Sequence, residues 1–175
     1  MMLMTLHQHR QPEYLPEGHL PCDRVRKDGV VVHSLTAHAI QALERHKWIE
    51  SQKYGYDIGY RAYEEWLQHC WGGWTRSKLL EHLYGWRFWG AFSGGDYGLF
   101  SRSSVEHHVP QEVLQKVADL LAVGGENLDV LNWSISADHD VEAIMWLLDR
   151  IDINAKRQRL LTSHIRLFLH QECAP

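Results

Sequence analysis

The chain has 175 residues, 45% of them hydrophobic and 23% charged, with a formal net charge of −4. That length fits one domain able to bury a core without disulfides or metal, and the composition argues against a disordered or fibrous chain. The negative charge argues against a general electrostatic attraction to nucleic acid or anionic lipid.

Three scattered cysteines, Cys22, Cys70 and Cys173, form no CxxC pair, which points to a reducing compartment. With no long apolar run and no export-signal pattern at MMLMTLHQHRQ, the expected address is the cytoplasm. The unusual entries are 8 Trp and 13 His. They supply large anchor side chains and ligand capacity without fixing a function.

Residues 1–28 hold Pro12, Pro16 and Pro21 without periodicity and read as an extended arm; residues 29–175 read as one helical domain. Asp28-Gly29 signals a turn and Val30–Val32 a short strand or apolar plug, before Ser34, a good N-cap. A first helix is expected over 35–54, with Leu35, Ala39, Ala42, Leu43 and Ile49 on one stripe and His46 and Glu50 inside it. Gly55 suits a left-handed cap, and Asp57 is placed to cap a second helix over 59–71. Gly72-Gly73 should break the run, so a third helix starts at Thr75 and ends at Gly85, with Arg76 on the stripe of Leu79, Leu80 and Leu83.

The stretch 87–102 changes period. Aromatic runs flank Ser93-Gly94-Gly95-Asp96, the pattern of a β-hairpin. Helices follow from Pro110 to Gly124, over 126–137, from Val141 behind a cap offered by Asp138-His139-Asp140, and, capped by Asp152 or Asn154, through the basic run Lys156-Arg157-Gln158-Arg159. The expected architecture is therefore mainly α: a single-domain bundle of about six or seven helices with one β-hairpin at 87–102 and an extended N-terminal arm.

His46 and Glu50, four apart on one helix, have the spacing of a ligand pair or of a base with its orienting carboxylate. The same pair also suits a core His and a Glu answered by Arg76 or Arg61. Glu65 and His69 share the spacing but fall on a polar side. His7-Gln8-His9 and Glu106-His107-His108 are loop clusters, and Cys70 sits among Trp66, Trp71 and Trp74 as a small buried hydrophobe. No GxSxG, HExxH, Walker loop or strand-linked GxGxxG is present, and no cofactor is expected.

The segment HKWIESQKYGYDIG, running into YRAYEEWLQ, resembles a local pattern in uncharacterised bacterial helical proteins: His-Lys/Arg-Trp-x-x-Ser, then Gly-x-Asp-x-Gly. Tyr54 stands where that pattern has a small residue. The resemblance implies a reusable helix–corner–helix unit, with no activity attached.

The sequence thus favours a non-catalytic, cytoplasmic, bacterial binding or accessory protein that docks a protein partner through an aromatic-rich surface. Glu50, His46, Arg76, Asp57, Trp86 and Trp89 are its candidate binding residues. One alternative is a helical metal-binding enzyme using His46 and Glu50. Another is a nucleic-acid binder using Arg76, Lys78 and Lys156–Arg159. No membrane partner is expected, and a homo-oligomer is a further partner class open to it.

Overall fold

A computed structural model describes residues 22–152. Along that span run β1 (Arg24–Val25), β2 (Val31–His33), α1 (Leu35–Tyr54), α2 (Arg61–His69), α3 (Trp71–Leu83), β3 (Phe88–Trp89), α4 (Leu99–Glu106), α5 (Gln111–Ala122), α6 (Asn127–Ser136) and α7 (Val141–Ile151). The protein is mainly α with a small β element. The seventh helix expected by the Lys156 run, and most of the N-terminal arm, lie outside the described residues.

The β element differs in place from the sequence expectation. Its hairpin is β1–β2, antiparallel, with Arg24 opposite Val32 and Val25 opposite Val31. The Asp28-Gly29 turn closes it: Gly29 has φ +82, and the Asp28 carboxylate accepts from the Val30 N–H at 3.2 Å. The stretch 87–102 contributes only β3, parallel to β2, followed by a 3₁₀ turn at Gly94–Asp96 and then α4. Leu99, Phe100 and Ser103, all buried, carry the helical spacing that the aromatic runs obscured.

Helix α1 begins and ends where its caps dictate. The Ser34 hydroxyl accepts from the Ala37 N–H, and Gly55, at φ 75, sends its N–H to the Ser51 carbonyl at 3.0 Å. Helix α3 starts four residues earlier than expected and runs straight through Gly72-Gly73. Trp71, Thr75, Leu79 and Leu83 are buried at a four-residue spacing. Burying those side chains outweighs the roughly 1 kcal/mol that each glycine costs in a helix.

Two apolar clusters fill the interior. Ala39 and Leu43 of α1 meet Tyr63 and Trp66 of α2 and Trp71 of α3. The larger cluster joins Leu79 and Leu83 to Trp89, Phe100 and the buried faces of α5, α6 and α7. Trp74 touches both clusters, and stacks on Trp71 at 5.5 Å. Among the described residues no helix is long and apolar enough to cross a membrane.

Candidate functional site

The inward polar group expected from helical arithmetic does not assemble. Glu50 gives its carboxylate to Lys53 Nζ at 2.6 Å, and that hydrogen bond, ahead of opposing desolvation, lowers its pKa. His46 lies one turn away, with its Nε2 buried and unbonded. No ion pair joins Arg76 to Glu50 among the described residues. The Arg76 guanidinium instead lies in a niche of glycines: a Cβ would meet it at 3.3 Å from Gly72 and 3.4 Å from Gly124. The physical cause is direction: Arg76 reaches from α3 to the α5–α6 connection at Gly124, while Glu50, on the later turns of α1, turns to Lys53 one turn further along.

The remaining expected residues separate into core, turn and surface. Trp89 is fully buried, its indole N–H donating to Glu81 Oε2 at 3.0 Å, so it is no docking residue. Trp86 is 70% exposed and stacks flat on Tyr84, with centroids 4.5 Å apart. Asp57 does not cap α2, whose N-cap is Tyr60 with no side-chain bond; its carboxylate instead accepts from the Gly59 N–H at 2.8 Å in the turn ahead of that helix. Lys78 is paired with Glu81 at 2.7 Å. Glu65 is held by Arg61, and His69 is exposed, as the polar-side expectation had it.

Beside Asp57 the corner between α1 and α2 exposes Tyr54 (48%), Tyr56 (62%) and Tyr60 (42%). The rings of Tyr54 and Tyr56 are 6.0 Å apart, and the Arg61 guanidinium sits 5.6 Å from the Tyr54 ring centroid. Arg61 has its own pKa raised by the hydrogen bond to Glu65, so it remains a fixed cation in that aromatic setting.

A second group was not visible in the sequence reading. Asp23 Oδ2 lies 2.9 Å from His33 Nδ1 and 3.2 Å from His38 Nε2, while its Oδ1 accepts from the Ser34 N–H at 2.8 Å. All three side chains are nearly buried, at 2%, 11% and 10% exposure for Asp23, His33 and His38. Burial lowers the His38 pKa in spite of Asp23, and the charges of His33 and Arg87 push the same way. Trp89 packs on both imidazoles at 5.3 and 5.0 Å.

The signal for this group was the Asp-Gly turn. In the β1–β2 pairing, residue numbers of partners sum to 56, so one step beyond Arg24–Val32 sets Asp23 against His33. His38 then follows on the first turn of α1. His33, Ser34, Cys22 and Arg24 also line an open cleft of about 360 Å³, together with Leu35 and Trp71.

The fold and these two places define a mainly helical protein with an exposed tyrosine corner and a buried Asp–His–His group. Compared with models of known families, with curated proteins and with solved structures, the chain matches none.

Proposed function

We propose that this is a non-catalytic binding or accessory protein of the bacterial cytoplasm that docks a protein partner through its tyrosine corner. The observation that supports the reading is the joint exposure of Tyr54, Tyr56 and Tyr60 beside Arg61. Tyr and Arg are the residue types that dominate binding energy at protein interfaces, because they offer large contact area with few rotatable bonds and a polar tip. Among the other described aromatics, Tyr63, Trp66, Trp71, Trp89, Phe92 and Phe100 are buried and so committed inward. Trp86, held rigid by its stack on Tyr84, is a secondary contact.

The nucleic-acid reading loses support from the described cations, since Arg76 lies among glycines and Lys78 is paired. Docking is tested by comparing the wild-type chain with Tyr54→Ser/Tyr56→Ser/Tyr60→Ser in mass photometry of complexes purified at native expression level. The triple variant should keep its thermal midpoint and lose a stoichiometric partner. A wild-type chain that is monomeric and partner-free, or a variant that keeps the partner, contradicts the reading.

A further inference from the structure

We infer that Asp23, His33 and His38 form a divalent transition-metal site of the zinc class, with Asp23 Oδ2, His33 Nδ1 and His38 Nε2 as the protein donors.

The argument starts from the convergence of donor atoms. The three ligand atoms lie within 4.8 Å of one another, although they come from three different pieces of chain: the residue before β1, the end of β2 and the first turn of α1. A zinc ion holds nitrogen and oxygen donors at about 2.0–2.2 Å, which sets tetrahedral donors about 3.4 Å apart. The two measured separations here are 2.9 and 3.2 Å. Opening each by a few tenths of an ångström brings it to that spacing, and the remaining pair, the two imidazole nitrogens, lies within 4.8 Å.

The surroundings are those of an oriented ligand set. The Ser34 N–H fixes the carboxylate through Oδ1 and leaves Oδ2 to face both imidazoles. Trp89, locked by its indole bond to Glu81, packs on both imidazole rings. Each imidazole presents a lone pair to the ion once its N–H is on the other ring nitrogen, so two neutral histidines bind without losing a proton.

Charge favours occupancy as well. A nearly buried carboxylate is a charge removed from water, which a divalent cation neutralises. Arg87, whose field reaches His38, offsets part of that charge but offers no lone pair. Two nitrogens with one oxygen suit zinc and its first-row neighbours, whereas calcium and magnesium prefer all-oxygen shells. The fourth position is filled by water, which reaches the His33 side through the cleft.

The test uses the untagged full chain, stripped with chelator and titrated with ZnCl₂ by calorimetry. One equivalent should bind saturably. Asp23→Asn and His38→Gln should each weaken Kd by at least about tenfold, whereas His107→Gln/His108→Gln and His7→Gln/His9→Gln should leave it unchanged. Circular dichroism checks that each variant is folded. Should Asp23→Asn and His38→Gln unfold, zinc-edge X-ray absorption of the loaded wild-type protein decides: two imidazoles with oxygen and no sulfur supports the site. Absence of a saturable equivalent, unchanged affinity in folded Asp23→Asn and His38→Gln, or a sulfur shell overturns it.

Discussion

Replacing His82 with leucine is the sharpest perturbation of the packing that positions β3. His82 is fully buried, and its Nδ1 accepts from the Trp89 backbone N–H at 3.1 Å. A backbone N–H can only donate, so Nδ1 carries the lone pair, and Nε2–H donates to the Ser93 carbonyl at 2.9 Å. The ring is enclosed by Phe88, Phe92 and Tyr97 at 5.1–5.4 Å. Leucine fills similar volume but strands the Trp89 N–H, which costs about 1–3 kcal/mol. The Ser93 carbonyl keeps the Asp96 N–H at 3.0 Å, so its loss is a single net bond, about 0.5–1.5 kcal/mol.

His82→Leu should therefore destabilise by about 1.5–4.5 kcal/mol, read from urea unfolding at neutral pH with an unchanged m-value. Nitrogen-15 imidazole spectra of the wild type should show the Nε2-protonated tautomer. A loss below about 0.5 kcal/mol, or the opposite tautomer, would refute the reasoning.

Three further outcomes follow from the same geometry. Gly90→Ala places a Cβ 2.9 Å from Val32 Cγ1, where β3 meets β2, and should cost about 1–3 kcal/mol in the same unfolding assay. Glu50→Ala removes a surface pair with Lys53 and should leave the thermal midpoint unchanged; a large drop would revive the buried-network reading of α1. Because burial holds the folded His38 pKa below 6.5, the unfolded chain takes up that proton first as pH falls. The group's contribution to stability is thus present above pH 6.5 and is lost as pH drops toward the folded pKa. The fall in wild-type stability across that window should be shallower in His38→Gln, as measured by unfolding at a series of pH values.

Much of the fold was legible because local chemistry decided it. Ser34 and Gly55 bound α1, Asp140 of the Asp138-His139-Asp140 run caps α7, and Asp28-Gly29 makes the turn it signals, although the strand before it, β1, falls where the sequence reads as an extended arm. Tertiary packing decided the rest. Gly72-Gly73 reads as a break in isolation, yet buried Trp71 and Thr75 hold it helical. The Ser93–Asp96 stretch reads as a hairpin turn, yet β3 pairs with distant β2, and Leu99 and Phe100 enter the core from a helix.

The candidate sites show the same division. A helical wheel finds neighbours on one helix and assumes burial along its length, so it nominated His46 with Glu50. Asp23, His33 and His38 meet through strand register and a helix cap, a relation no single-element periodicity reports. The tyrosines of the corner were in view, but their exposure, at 42–62%, is a product of packing that single-helix periodicity does not report.

The docking reading is tested most directly by a photo-crosslinking phenylalanine analogue placed at Tyr56 in the chain expressed in its native host. A control at Val123, more open than Tyr56 at 81% exposure against 62%, measures chance encounters. One discrete heteromeric or homomeric adduct at position 56, missing at position 123, is the predicted result. Diffuse adducts of equal yield at both positions would contradict it.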